Sequence, residues 1–517
     1  MNKIIFILIF FIFFKTLAIS DSTFTFTFNE LVFNNNSEKE LFLRLQTDLN
    51  IDFLEGFLLS DTSVRKSEID DIKSEFKNLI TNINISIGGK SDEKKIKLIY
   101  SITHEKLFKQ YEYKNYFLNV FKEGKFNCVS GSAIYALIFD ELNIPYKIKE
   151  TRIHVYLMAY PDNKKLIIES TTPSKGYIQL NEAFIKDYIQ QLHDNKVVSD
   201  NEFSENSSES LFEKYYFSDS TITKKQLLGL QYFNQGIYAY EEKNFKHSFE
   251  MLKKSDFLYP SETTKSSISQ AYLSYLNSLD KESIEYAHYL GFADRFYDFG
   301  VTKDQIRTEF LFMTNSLLID KYRVNKYKNC YLSILITAKD STVINEISFI
   351  YNYELSRIYG VRSSLDSCIS YAKKALSIKP TNIDAMELLL NGIAQETKNN
   401  YNFNESISLL LRLKDDFPDI VLNHSFNKLL GTCYLLLSQQ YFEENKEKAA
   451  LSYLLEFEKI HNPNFSIDKQ LIASVYITGG VYYFKRSQNS ECKKLLNRGL
   501  EFSPNDYQIK QRLNMMN

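Results

Sequence analysis

The feature that most constrains the fold is a helix-rich stretch from residue 224 to residue 517 in which small residues and prolines recur. Five of the eight prolines of the chain fall in this stretch, and each follows an amphipathic segment: Pro260, Pro380, Pro418, Pro463 and Pro504. The last three intervals between them are 38, 45 and 41 residues, which is typical of stacked helix pairs. The sequence therefore predicts an all-α solenoid over residues 224–517.

Two runs inside this stretch share one order of aromatic, small and proline residues, and a third run is a weaker copy. The first run comprises Tyr232, Gly236, Phe245, Ser248, Leu252 and Pro260. The second comprises Tyr476, Gly480, Tyr483, Cys492, Leu496 and Pro504. The weaker copy comprises Ser356, Cys368, Ala372, Ala375 and Pro380. This order resembles the tetratricopeptide repeat, and the resemblance implies a concave helical groove that binds a protein partner.

The same resemblance gives Cys368 and Cys492 a packing role, because they stand where the family usually has alanine. Residues 262–345 do not follow the repeat closely enough to be assigned a phase.

The N-terminal half has a different pattern. Apolar residues at three- and four-residue spacing predict helices over residues 38–50, 64–83, 92–111 and 133–142. After Pro145 the pattern changes to that of strands, which are predicted over residues 146–150, 153–160 and 165–170. Helices followed by antiparallel strands predict an α+β domain over residues 21–192.

Residues 193–211 are rich in Asp, Asn, Ser and Glu, which predicts a solvated linker between the two domains over residues 193–223.

Residues 1–20 are typical of a signal peptide. Lys3 gives a positive start, residues 4–14 form an apolar run, and Ala18 and Ser20 supply small side chains at positions −3 and −1 of a cut before Asp21. The apolar run is too short to span a bilayer comfortably. We therefore expect an exported protein, periplasmic or extracellular, with no membrane span after the signal peptide. An uncleaved N-terminal helix that tethers the protein is the alternative.

Composition narrows the choice of partners. The 62 basic residues are balanced by 64 acidic ones, which gives no electrostatic case for binding nucleic acid. Five cysteines is an odd number, so at least one thiol should be free, and their spacing lacks the pairs that hold zinc. The sequence also lacks the glycine-rich loops that bind phosphates. We expect neither a metal nor a cofactor.

Three residues have the order that a cysteine nucleophile needs. Cys128 opens an apolar helix, where free amides and the helix dipole favour a negative charge on sulfur. His154 follows at the start of a strand, and Glu169 lies across the next turn. If paired residue numbers in these strands sum to 325, His154 and Glu169 are diagonal neighbours on one sheet face. A slip of one residue would separate them.

The segments that carry these residues resemble the transglutaminase-like superfamily, whose core architecture is papain-like. They read Phe-Asn-Cys-Val-Ser-Gly-Ser-Ala-x-Tyr over 126–135, Leu-Asn-Ile-Pro over 142–145, His-Val-Tyr over 154–156 and Ile-Glu-Ser-Thr over 168–171. The resemblance covers roughly residues 90–180. It implies that Cys128 is the nucleophile, His154 the general base and acid, and Glu169 the carboxylate that orients the ring. Glu169 stands where the family usually has aspartate.

Two functions follow as expectations. The first is an exported cysteine-dependent acyl-transfer enzyme, either a protease or amidase or a transglutaminase, that acts on amide bonds of a protein or peptide substrate through Cys128, His154 and Glu169. The sequence does not choose between hydrolysis and transamidation. The alternative is a catalytically inactive transglutaminase-like scaffold joined to a tetratricopeptide-like interaction module. His104, the other histidine near this constellation, is expected to have a helix-surface role.

Overall fold

The structure, a computed structural model, describes residues 25–47, 51–151, 154–170, 182–194, 196–215 and 220–516. The predicted signal peptide lies outside the described residues. The chain divides into two compact units, Met1–Leu279 and Asp280–Asn517. Among the residues described, no helix combines the length and the apolar character needed to cross a bilayer.

The first unit contains helices and short strands. Its helices are α1 (Asn36–Thr47), α2 (Phe53–Leu59), α3 (Lys66–Ile87), α4 (Asp92–Lys106), α5 (Asn119–Lys122), α6 (Cys128–Glu141), α7 (Glu182–Asp194), α8 (Asp200–Glu205), α9 (Ser208–Tyr215), α10 (Lys224–Glu241), α11 (Phe245–Leu258) and α12 (Glu262–Ser278). Its strands are β1 (Gln110–Tyr111), β2 (Lys125–Phe126), β3 (Tyr146–Glu150), β4 (Val155–Ala159), β5 (Leu166–Ile168) and β6 (Thr221–Ile222).

The strands form two small sheets. β1 and β2 pair in parallel, and the order in the larger sheet is β5-β4-β3-β6 with antiparallel neighbours. Leu157 pairs with Ile168 and Ala159 with Leu166, so the predicted register, in which paired numbers sum to 325, is confirmed. Every residue of β4 is buried because helices cover the sheet.

The segment that we expected to be a solvated linker, residues 193–223, is instead packed where it is described. Val198, Leu211 and Phe212 are buried in one apolar cluster with Tyr156 of β4 and Ile167 of β5. β6 extends the sheet by pairing with β3. The polar composition misled the prediction because a few apolar residues of this segment, among them Val198, Leu211 and Phe212, pack in the same cluster.

The boundary between the compact units falls at 279/280 rather than at the predicted 223/224. The reason is that α10 and α11 pack against the N-terminal helices of the first unit. Lys254 of α11 and Glu38 of α1 form a fully buried ion pair at 2.7 Å, and the Tyr232 hydroxyl of α10 donates to the same carboxylate at 2.8 Å.

The second unit is helical. Its helices are α13 (Ile284–Leu290), α14 (Lys303–Met313), α15 (Val324–Thr337), α16 (Ser341–Val361), α17 (Leu365–Ile378), α18 (Ile383–Asn400), α19 (Phe403–Asp416), α20 (His424–Glu443), α21 (Glu447–Ile460), α22 (Lys469–Phe484), α23 (Asn489–Phe502) and α24 (Tyr507–Met515). A π-helical turn, Thr314–Asp320, follows α14. This turn and two 3-10 turns, Gly291–Arg295 and Tyr297–Phe299, lie within residues 262–345, the stretch to which no repeat phase could be assigned from the sequence.

The predicted helix pairs are confirmed at α10–α11, α16–α17 and α22–α23. Their small residues lie against the partner helix, 12 to 16 positions further along the chain. The Ser356 hydroxyl donates to the Cys368 carbonyl at 2.9 Å, and a Cβ added to Gly236 would lie 2.6 Å from Cγ of Leu252. Cys368 and Cys492 are buried between helices, so their packing role is confirmed.

Candidate active site

Cys128 is the first residue of α6, as its sequence context predicted. Asn127 caps the helix, because its side-chain oxygen accepts a hydrogen bond from the Ser130 amide at 2.9 Å. By their position in the first turn, the amides of Cys128 and Val129 have no acceptor within the helix. The Cys128 side chain is partly exposed, whereas Cys330, Cys368, Cys433 and Cys492 are buried. All five thiols are free.

His154 and Glu169 meet just beyond the ends of β4 and β5. Nε2 of His154 lies 2.8 Å from one carboxylate oxygen of Glu169 and 2.7 Å from the other. The extra methylene of glutamate, compared with aspartate, is therefore accommodated. The Glu169 side chain is 9% exposed and that of His154 is 25% exposed, so solvent screens this pair only weakly.

The Cys128 thiol lies close enough to the His154 ring to raise the pKa of that ring. Because Nε2 contacts Glu169, Nδ1 is the ring nitrogen that remains for another partner. Burial of the ring lowers the pKa of His154, but the negative charge of Glu169, the hydrogen bond that its carboxylate accepts and the nearby Cys128 thiol outweigh it. The net effect raises the pKa of His154 well above its usual value. A protonated ring beside a sulfur stabilises the thiolate.

Gly131 and Ser132 hold α6 against the strands that carry His154 and Glu169. A Cβ on Gly131 would lie 2.6 Å from the Ser170 hydroxyl oxygen, directly after Glu169. The Ser132 hydroxyl donates to the carbonyl of Val155, directly after His154, at 3.1 Å. These two residues thus bring the three side chains together.

His104 is not a helix-surface residue, contrary to expectation. Its ring packs 4.2 Å from the Tyr100 ring, 5.1 Å from Phe108 and 5.7 Å from Phe126, measured between ring centroids. Its Nε2 is buried and has no hydrogen-bond partner among the described residues. Burial lowers the pKa of His104 to about 4, so the ring is neutral at physiological pH. It supports Phe126, two residues before Cys128, rather than reacting.

Sequence reasoning missed the aromatic residues beside the thiol. Tyr111 and Tyr113 are 40% and 46% exposed, and the pKa of each is raised, first by partial burial and further by negative charge at Cys128 and other nearby groups. The parallel pairing of Tyr111 with Phe126 brings this segment to the helix start. Two-residue strands give too short a pattern to be recognised in the sequence.

Comparisons with known proteins add little to this description. No family model matches the chain. No curated protein matches it either. The solved tetratricopeptide domain of P58(IPK) is 12% identical, with a TM-score of 0.18, over 64% of this chain and 92% of that one. A structure of Naa15/Naa10 bound to HypK-THB is 9% identical, with a TM-score of 0.14, over 86% of this chain and 66% of that one. Scores this low do not support an argument about function.

Proposed function

We propose that this protein is an exported, transglutaminase-like cysteine enzyme that transfers the acyl group of protein or peptide amide bonds. One observation carries the proposal: Nε2 of His154 contacts the Glu169 carboxylate, and the same ring is near enough to the Cys128 thiol for its pKa to be raised by it. Cys128 is the nucleophile, His154 the proton carrier, and Glu169 the group that orients the ring and stabilises its positive charge.

The reaction starts from a thiolate and a protonated imidazole. The sulfur attacks the amide carbonyl, and the amides at the start of α6, which have no acceptor within the helix, would bind the oxyanion that forms. The imidazolium of His154 gives its proton to the leaving nitrogen, the C–N bond breaks, and a thioester remains on Cys128. Water or an amine then attacks the thioester, neutral His154 takes its proton, and the thiolate leaves.

The acceptor decides between hydrolysis and transamidation. Water is always present, so hydrolysis is the default outcome unless an amine is bound beside the thioester. The partly exposed Cys128 leaves the sulfur open to either acceptor.

The direct test is to trap the thioester. The purified protein is incubated with a pool of peptides, with and without an added primary amine, and both protein and peptides are followed by mass spectrometry. We expect peptide cleavage or deamidation, or amine incorporation, together with an acyl adduct on Cys128. Cys128→Ala, which removes only the partly exposed thiol, should abolish all three. Peptide turnover that persists in this variant would refute the proposal.

Export is part of the same proposal. If the signal peptide is removed at the predicted site, N-terminal sequencing of the exported protein should begin at Asp21. A protein that keeps Lys3 and is recovered with membranes would favour the tethered form.

A groove in the second unit favours interaction as a second candidate function. Its volume is about 480 Å³, and its lining includes Tyr331, Tyr351 and Tyr371 from α15, α16 and α17. The Tyr331 and Tyr351 rings stack with centroids 3.9 Å apart. Lys328 and Lys374 lie in the same lining, which contains no acidic residue. Aromatic surfaces beside unopposed positive charge suit a peptide with acidic and apolar side chains.

Peptide binding tests this second function independently of the first. Fluorescence anisotropy would compare an acidic, leucine-containing peptide with its basic counterpart on the wild type, on Lys328→Glu/Lys374→Glu and on Cys128→Ala. We expect the acidic peptide alone to bind, to lose at least tenfold in affinity with the double lysine variant, and to be unaffected by loss of the thiol. Equal binding of both peptides would exclude this role for the groove.

A further inference from the structure

The amide group of Asn127 connects the start of α6 to a helix far along the chain. Its oxygen caps α6, so its nitrogen must be satisfied elsewhere. Nδ2 of Asn127 donates to the Tyr238 hydroxyl at 3.1 Å and to the Tyr113 carbonyl at 3.3 Å. The Tyr238 hydroxyl in turn donates to that same carbonyl at 2.6 Å. The three groups form a closed ring of hydrogen bonds directly before Cys128.

Tyr238 is suited to hold this ring in one arrangement. It lies on α10, in the first predicted repeat, and is 2% exposed. Burial raises the pKa of its phenol, so the hydroxyl stays protonated. The hydroxyl donates its single proton to the Tyr113 carbonyl and accepts a hydrogen bond from the Asn127 amide. No other pattern of hydrogen bonds among these three groups satisfies them equally well. The rings of Tyr113 and Tyr238 also pack edge to face, 5.7 Å apart.

We propose that Tyr238 is a positioning residue for the nucleophile: through Asn127 it fixes the first turn of α6 and thereby aims the Cys128 sulfur at His154. The inference rests on the proposed function and adds to it that the first repeat hairpin is part of the catalytic apparatus. Loss of the hydroxyl leaves Nδ2 of Asn127 with only the 3.3 Å hydrogen bond to the Tyr113 carbonyl, so the first turn of α6 is held less firmly and the contact between sulfur and imidazole loosens.

Tyr232 provides a matched control on the same helix. It is also buried, and its hydroxyl donates to the Glu38 carboxylate at 2.8 Å, on the side of α1 rather than of Cys128. Tyr232→Phe and Tyr238→Phe each remove one buried hydroxyl, so each should lower stability, and Tyr232→Phe by more because its partner is a charged carboxylate. They differ in whether the lost hydrogen bond supports the site.

The experiment measures the rate at which iodoacetamide alkylates Cys128 in the full chain, at about pH 6 and at about pH 9. An ordinary thiol is mostly ionised only at the higher pH. For Tyr238→Phe we expect the rate at the lower pH to fall about three- to tenfold, with a change below about twofold at the higher pH, as expected for the loss of one hydrogen bond. Tyr232→Phe should match the wild type at both. If Tyr238 had only a structural role, Tyr238→Phe would not change the ratio of the alkylation rates at the two pH values. The two tyrosine variants would then have the same ratio.

The remaining outcomes separate the two proposals. A reactive wild type with equal ratios in both tyrosine variants overturns the role of Tyr238 and leaves the enzyme proposal intact. A wild type that reacts at about pH 6 no faster than an ordinary thiol overturns both. If Tyr238→Phe does not fold, Asn127→Ser keeps a helix cap but loses the donor to Tyr238, and should show the same selective loss. An unchanged ratio in that variant also refutes the inference.

Discussion

At the scale of single residues, the proposed chemistry depends on the carboxylate that holds the imidazole. Glu169 contacts Nε2 of His154 with both oxygens and is almost completely buried. Its charge is the largest of the influences that raise the pKa of His154, against the effect of burial. Without that charge, a ring in the same place would be neutral near pH 7, and the thiol would have no cationic partner.

Glu169→Gln tests this dependence. Glutamine keeps the shape but not the charge, so the pKa of His154 should fall, and the rate of Cys128 alkylation at about pH 6 should drop at least about tenfold. Glu169→Asp keeps the charge but holds it one methylene further from the ring, so the alkylation rate should fall by less than in Glu169→Gln. Asp162→Asn, in the exposed turn between β4 and β5, is the control and should behave as wild type. Equal rates in Glu169→Gln and the wild type would show that the carboxylate is not needed.

The pairing of these residues could be predicted from the sequence, because the β-hairpin is local. The turn fixes the register, and the register fixes which side chains are diagonal neighbours. The hydrogen bond from Asn127 to Tyr238 joins residues 111 positions apart, and no local pattern marks it. No local pattern marks the contact between Ser170 and Gly131 either, because it depends on how closely α6 packs against the end of β5.

At the scale of secondary-structure elements, α6 has to lie close against the end of β5. Gly131→Ala would place a Cβ 2.6 Å from the Ser170 hydroxyl oxygen, which displaces the residue after Glu169. We expect a loss of about 1–3 kcal/mol in unfolding free energy, and slower alkylation of Cys128 at about pH 6. Urea denaturation and labelling rates measure the two effects.

Gly88→Ala is the matched control for that substitution. Gly88 follows α3 with a φ of −51°, and the nearest atom to an added Cβ is 3.5 Å away. The unfolding free energy of the Gly88→Ala protein should differ from that of the wild type by less than about 0.5 kcal/mol. A Gly131→Ala protein as stable and as reactive as this control would contradict the close approach.

The aromatic cluster under α4 predicts a pH effect on stability. The pKa of His104 is about 4 in the folded protein because of burial, and about 6.5 in an unfolded chain. Between these values the unfolded chain binds more protons, so the folded state loses stability as pH falls from about 6.5 to about 4. His104→Phe cannot bind the proton. The unfolding free energy of His104→Phe minus that of the wild type should therefore rise by roughly 2 kcal/mol as the pH falls from about 7.5 to about 4.5.

Urea denaturation of both proteins at the two pH values measures this difference directly, and the wild type at the higher pH serves as its own reference. A difference in unfolding free energy that does not change with pH would show that the ring is not held neutral by burial.

Elements with a long periodic pattern could be predicted from the sequence, and short ones could not. The helix pairs were found because their apolar and small residues recur over many turns. Strands β1, β2 and β6 have two residues each, and α5 has a single turn, so none of them has a period to detect. Residues 193–223 were misread because composition reports average polarity, whereas packing depends on a few apolar side chains on one face.

At the scale of the whole molecule, the two compact units carry the two candidate functions. The site at Cys128 belongs to the first unit, including the repeat hairpin α10–α11, and the tyrosine-lined groove belongs to the second. The boundary could not be predicted from the repeat pattern, because a helix pair that looks like its neighbours in sequence packs on the N-terminal helices through Glu38 and Lys254. Similar helix pairs therefore do not imply similar roles.

The pH dependence of Cys128 alkylation tests the central claim most directly. Rates of iodoacetamide labelling would be measured from about pH 5.5 to about pH 9.5 on the wild type and on His154→Gln, with labelling of Cys128 confirmed by peptide mapping. On the proposed mechanism, in which protonated His154 stabilises the thiolate, the wild-type rate should vary by less than about tenfold, whereas that of His154→Gln should fall about tenfold per pH unit below the usual thiol range. A wild-type profile as steep as that of His154→Gln would contradict a thiolate held ready by this histidine.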